Sequence, residues 1–230
     1  VVRLMQGDPS RETRYSQDPA AVAREWERRG APRLHLVDLD GALLGSPANQ
    51  QALWEIFRAI RIPAQVGGGL RSLEAVRAAL ELGAAVAIVG TAAIRDPGFL
   101  EAVCAAFPGR IALGLDARAG MLATSGWAEA TMIRAMDLAR RVSHLPLAAI
   151  IYTDIQRDGM LGGPDLPGLS AMAAATRIPV IASGGIASER DIHALKALAP
   201  PGVVGAIIGK ALYDGRLTLE AALAAAGTSC

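Results

Sequence analysis

Residues 111–116 read IALGLD, an apolar run that ends on the carboxylate of Asp116, with Arg118 two positions on. An acid at the mouth end of a strand is placed for proton transfer. Carboxylate chemistry at neutral pH usually pairs a group that gives a proton with one that takes it. Ala112, Gly114 and Asp116 alternate with Ile111, Leu113 and Leu115. The small residues therefore share a face with the acid, and the large ones share the opposite face. That pattern predicts Asp116 pointing into an enclosed mouth and its bulky neighbours pointing into a helical shell. An acid that merely caps a loop or pairs with Arg118 is the plainer alternative. Thr153 ends the run AAIIYTD (148–154) on the same inward face as Ile151, and Asp158-Gly159 follows in QRDGML. Thr153 is placed to hydrogen-bond a substrate hydroxyl, and Asp158 to do the same or to orient Asp116, although Asp-Gly alone also satisfies a turn. Trp127, in SGWAE after the Asp116 strand, suits stacking on a flat heterocycle or anchoring a core.

A second set of residues suggests what such acids would act on. Gly67-Gly68-Gly69 follows a strand-like run and precedes Ser72; Ser183-Gly184-Gly185 does the same before Ser188. Gly90-Thr91 and Gly209-Lys210 end the next two runs. Glycines let backbone approach an anion closely, and a helix N-terminus offers free N–H groups to it. Tight turns alone would use the same residues. Two such pairs at matching places argue instead for two phosphate sites and one substrate with a phosphate at each end.

These groups need elements to position them, and the chain supplies alternating ones. Strand-like runs fall at 33–38, 63–68, 85–90, 111–116, 148–154, 179–185 and 205–210. Helical periodicity covers 19–29, 48–60, 72–82, 97–107, 130–143, 166–176, 188–198 and 217–226. Several strands are apolar on both faces, as parallel strands between helices are. Asp18-Pro19 and Asp96-Pro97 read as helix starts, Ser72 and Ser188 as N-caps, and Gly30 and Gly83 as helix ends. The chain also repeats itself: PAQVGGGLRS (63–72) aligns with PVIASGGIAS (179–188) at an offset of 116, which carries VDL (37–39) onto TDI (153–155). IVGTAA (88–93) falls on IIGKAL (207–212) after a three-residue insertion. Two similar halves of four βα units predict a (β/α)8 barrel with internal half-barrel duplication, one domain over 1–230. Seven units are clear. VVRLMQ (1–6) reads as a side strand in a long first loop, with Asp8 in the QGD turn that follows. The repeat thus places the first barrel strand, and the carboxylate that partners Asp116, upstream of Val1. Strands 1 and 5 stand across the barrel from each other, strands 3–4 and 7–8 carry the glycine loops, and the loops after strands 7 and 8 are a recurring phosphate site.

Composition excludes several classes. The 230 residues are 52% hydrophobic but only 4% aromatic, enough for a sizeable core. Charges nearly cancel, 23 basic against 22 acidic, with no basic run suited to nucleic acid and no apolar run of membrane-spanning length. The opening VVRLMQGD has no secretory pattern. Cys104 and Cys230 match no disulfide or metal spacing, so a reducing cytoplasm is expected. His35, His144 and His193 read as structural or solvated, and no residue cluster has metal-ligand spacing. No metal, cofactor, nucleic acid or membrane partner is expected, and a monomer is.

LHLVDLDGA, PAQVGGGLRS, IVGTAAIRDP, GLDARAG, IIYTDIQRDGML, VIASGGI and IIGKALYDG together resemble the HisA family. These are the phosphoribosylformimino-aminoimidazole carboxamide ribotide isomerases of histidine biosynthesis. The resemblance implies a cofactor-free Amadori rearrangement of an aminoaldose to an aminoketose (ProFAR to PRFAR) by a pair of carboxylates. It maps the strand-5 acid to Asp116, the strand-6 threonine to Thr153 and the loop acid to Asp158. Arg3, Arg71 and Trp127 fall on substrate-contacting positions. Gly68, Gly69, Gly90, Thr91, Ser183, Gly184, Gly185, Gly209 and Lys210 fall in the phosphate loops. The family's first strand, resembling PAIDLKDG, carries the other catalytic aspartate and has no counterpart in this sequence. The sister cyclase of the same pathway fits VDLDGA and SGW less well. A bifunctional isomerase that also takes phosphoribosylanthranilate, and a phosphosugar-binding barrel without turnover, are the remaining alternatives.

Overall fold

The structure, a computed structural model, describes residues 1–5, 8–198 and 202–227, and for residues 5 and 8–10 the backbone alone. The chain opens with an antiparallel hairpin, β1 (Val2–Met5) and β2 (Asp8–Arg14). α1 (Pro19–Arg28), β3 (Leu34–Val37), the short α2 (Leu39–Leu44) and α3 (Gln50–Ala59) follow. β4 (Ala64–Gly67), α4 (Leu73–Leu82), β5 (Val86–Val89), α5 (Thr91–Arg95) and α6 (Pro97–Ala106) complete the first half. β6 (Ile111–Arg118) opens the second half and continues into a hairpin, β7 (Met121–Thr124) and β8 (Glu129–Arg134), before α7 (Ala135–Arg141). Then come β9 (Ala149–Asp154), α8 (Leu166–Ala175), β10 (Val180–Ser183), α9 (Glu189–Lys196), β11 (Val203–Ile207), α10 (Lys210–Tyr213) and α11 (Leu219–Ala226).

Seven strands form one parallel sheet in the order β11-β10-β9-β6-β5-β4-β3, curled in the manner of a (β/α)8 barrel. Among the described residues no strand pairs with the outer edge of β3 or of β11. The alternation along β6 sorts the core as the sequence implies. Ala112 joins Val86, Ala149 and Ile151 in a small cluster inside the curl. Ile111, Leu113 and Leu115 are fully buried in the main core between sheet and helices. Each such side chain contributes roughly 1.5–3 kcal/mol by leaving water, so the inward acid rides on a strand locked by its outward face.

The local signals also act where the sequence puts them. Asp18 and Asp96 accept the Ala21 and Gly98 N–H groups, with proline in the first helical turn. Ser72 and Ser188 accept from Ala75 and Asp191, and Gly83 caps α4. Three expectations are corrected. The helix expected over 130–143 begins at Ala135, because 129–134 is the strand β8. Residues 8–14, read as loop, form β2 against the opening strand. The last sheet strand is Val203–Ile207 rather than 205–210, and Lys210 already lies in α10. The side chain of Asp8 and all of Cys230 lie outside the described residues.

Candidate active site

Asp116 and Thr153 are register partners at the C-terminal ends of β6 and β9, and Thr153 is in turn opposite Ser183 of β10. Strand pairing alone therefore lines up three polar side chains on the inward face. The Trp127 indole N–H, at the tip of the β7–β8 hairpin, donates to Asp116 Oδ2 at 2.8 Å. Burial raises the Asp116 carboxyl above the ordinary carboxylate range. The Trp127 N–H and the Thr153 hydroxyl pull it the other way, and the nearby Asp158 charge adds to the rise. A carboxyl held up in this way keeps a proton closer to neutrality, as a general acid must. Asp158 forms an ion pair with Arg3 of β1, so the opening hairpin is tied to the loop after β9.

The two halves present matched loops. Gly68 and Gly184 have φ of 106° and 94°, values that glycine alone adopts freely. A Cβ at Gly68 would run into the Asp38 carbonyl, and one at Gly184 would lie 2.9 Å from the Asp154 carbonyl oxygen. Asp38 and Asp154 stand at the same 116-residue offset as the glycines. Gly90 (φ −131°, ψ −98°) and Gly209 (φ −113°, ψ −93°) share one backbone shape as N-caps of α5 and α10. The halves thus repeat in backbone geometry as well as in residue type.

All fifteen candidate residues border one cavity of about 1490 Å³: Arg3, Gly68, Gly69, Arg71, Gly90, Thr91, Asp116, Trp127, Thr153, Asp158, Ser183, Gly184, Gly185, Gly209 and Lys210. Its lining also includes apolar side chains of α1, α3 and α11, among them Ala23, Ile56 and Leu223. Some polar heads are engaged within the protein. Arg71 donates to the Ala42 carbonyl at 3.1 Å, Thr91 accepts the Ser125 N–H at 3.0 Å, and Lys210 pairs with Asp214. Among the described residues no group of three His, Cys, Asp or Glu side chains is disposed to hold a metal, and no helix is long and apolar enough to cross a membrane.

One residue that organises the site was not singled out from sequence. Asp38, at the end of β3, is 3% exposed. It accepts the N–H groups of Gly41 (2.9 Å), Ala48 (2.7 Å) and Asn49 (3.1 Å), and the Asn49 side-chain amide (2.7 Å). Burial alone would raise its carboxyl, but these bonds outweigh burial and hold it below the ordinary value. The alignment of VDL with TDI was the available signal. His35 sits beneath, its Nδ1 3.0 Å from the Gln65 amide nitrogen, and burial lowers it to about 4, so it is neutral at pH 7. His144 and His193 are exposed on the helical side, away from the acids.

A curled parallel sheet in two similar halves, with a raised carboxyl at its mouth between matched glycine loops, defines a barrel enzyme of the acid–base type. Residues 1–218 match the model of the family described as histidine biosynthesis protein, and the chain belongs to that family. It is 52% identical over 222 residues to a protein of Trichlorobacter lovleyi, covering 96% of this chain and 91% of that one. A Syntrophobacter fumaroxidans relative is 51% identical over 229 residues (100% and 90%), and one from Gloeothece citriformis is 50% identical over 226 (98% and 88%). All three are named 1-(5-phosphoribosyl)-5-((5-phosphoribosylamino)methylideneamino)imidazole-4-carboxamide isomerase.

Proposed function

We propose that this chain catalyses the isomerisation for which its relatives are named, an aldose-to-ketose rearrangement of a substrate with a phosphoribosyl group at each end. The loops of β4 and β5 take one phosphate, and those of β10 and β11 the other. The reacting ribose then lies between them, over Asp116. Asp116 gives its proton to the ring oxygen as the C1–O bond opens, which leaves a protonated Schiff base at C1. The proton at C2 passes to a carboxylate base, in the family pattern an aspartate of a strand adjoining β3, where no described strand lies. The C2–H electron pair forms the C1=C2 bond of an enaminol as the Schiff-base nitrogen is neutralised. The base then returns its proton to C1 while the 2-hydroxyl gives its proton to the Asp116 carboxylate, so the C2 ketone of the aminoketose forms and both carboxyl groups end as they began. Thr153 holds a substrate hydroxyl beside Asp116, and Trp127 covers the reacting end. Such a biosynthetic role suits the cytoplasm, where the buried free thiol of Cys104 stays reduced.

The observation that carries this reading is the position of Asp116: inward, raised by burial, and on a strand that lies with β9 between the two glycine-loop pairs of one repeat. The test is turnover of the doubly phosphorylated aminoaldose with purified chain and calorimetric binding of the same compound. Binding with a 1:1 stoichiometry, competed by inorganic phosphate, and product formation lowered roughly 10²–10⁴-fold by Asp116→Asn are expected. No binding, or turnover indifferent to that change, would sink the reading.

A further inference from the structure

The turn that carries Trp127 is an awkward piece of backbone. Ser125 and Trp127 both have positive φ, 57° and 74°, and so does Ala119 (51°) where β6 leaves for the hairpin. Side chains in that region cost on the order of 1–3 kcal/mol each and persist only when neighbours hold them. Within the turn the Ala128 N–H reaches the Ser125 carbonyl only at 3.4 Å. The stronger holds come from α5. Thr91 Oγ1 accepts the Ser125 N–H at 3.0 Å, and Arg95 donates to Ser125 Oγ at 3.2 Å and forms an ion pair with Glu129. The Thr124 hydroxyl donates to the same Glu129 carboxylate at 3.3 Å. Thr91 and Arg95 are the first and last residues of α5, four apart and so on one face of it. The far side of the clamped turn presents the indole that bonds Asp116.

We propose that Arg95 and Glu129 are positioning residues: their ion pair clamps the hairpin turn to α5 so that Trp127 meets the Asp116 carboxylate. The proposal rests on Asp116 being a catalytic group. Both side chains are about half exposed, 51% and 55%. Exposed pairs stabilise a fold very little, and neither side chain borders the cavity. The clamp therefore acts on geometry at the acid, with little effect on stability.

The experiment uses Arg95→Ala, Glu129→Gln, the double variant and Arg95→Lys. Each is made in a Trp26→Phe, Trp54→Phe background, which leaves Trp127 as the sole tryptophan of the three. Isomerisation kinetics and Trp127 emission across pH 3–8 are both read. Asp116 is faced by Trp127, Thr153 and the Arg3-paired Asp158, none of which is altered. Each single variant is expected to lower kcat about two- to fivefold, the range an exposed pair of at most about 1 kcal/mol can supply, with KM changed less than about twofold. The double variant should be no worse than the weaker single, Arg95→Lys should recover most of the rate, and the melting temperature should stay within about 2 °C. The emission midpoint should shift in Arg95→Ala and return in Arg95→Lys. An unchanged midpoint overturns the clamp, as does an unchanged kcat in a chain that turns over. If Asp116→Asn retains full rate, the catalytic assignment fails and the clamp with it, whereas a shifted midpoint in a chain without turnover still supports the clamp.

Discussion

At the scale of single residues, two aspartates answer burial in opposite ways. Asp116 is raised, so its folded carboxyl keeps a proton that the unfolded chain has already released. Below the unfolded value both states are protonated and the burial cost is absent. As pH rises through the folded value, the buried charge removes stability. Asp116→Asn should therefore lower turnover by roughly 10²–10⁴-fold yet unfold at higher urea than the parent at pH 7, with the gap closing by pH 3. Equal midpoints at pH 7 would show that burial does not penalise the charge. Asp38 is depressed, so its stabilisation is present above the unfolded value and fades as pH falls through the folded one. Asp38→Ala strands three backbone N–H groups and an amide and should cost about 3 kcal/mol at pH 7. Urea unfolding of both proteins checks this, and the difference should shrink in acid. Both acids end a strand-like run, but only the run of Asp116 alternates small and large residues so as to aim the acid inward. The role of Asp38 was not legible because its partners lie up to eleven residues away and become neighbours only when 39–49 folds back.

At the scale of elements, the glycine loops join pattern to function. Gly68 and Gly184 each need a positive φ and stand against a backbone carbonyl that cannot retreat without moving the end of β3 or β9. Gly68→Ala and Gly184→Ala should each weaken substrate binding at least tenfold, because the displaced strand ends carry the loops that frame the mouth. Calorimetry with the doubly phosphorylated substrate would show this, and tenfold is about 1.4 kcal/mol. Matching losses from the two halves are expected; a loss from one alone would argue against paired phosphate sites. Most sheet strands and long helices were readable, since alternation and N-caps are local. The β7–β8 hairpin was not. Residues 130–134 are rich in helix formers, and the deciding facts are non-local: Ala123 pairs with Ala130, Thr124 with Glu129, and the Thr131 hydroxyl bonds the Leu122 carbonyl at 2.8 Å. Tertiary pairing overrode propensity.

At the scale of the molecule, the repeat foretold an eight-unit design and the described chain arranges seven strands of it, with β3 and β11 as open edges. The halves meet where β5 pairs with β6, from Ala87–Ile111 to Val89–Leu113. In strand order β6 and β9 lie between β4–β5 and β10–β11, so Asp116 and Thr153 stand side by side with one glycine-loop pair of the repeat on each flank. A substrate held at both flanks must cross that pair of strand ends, and an acid on any other strand of the sheet would meet one end of it instead of its middle.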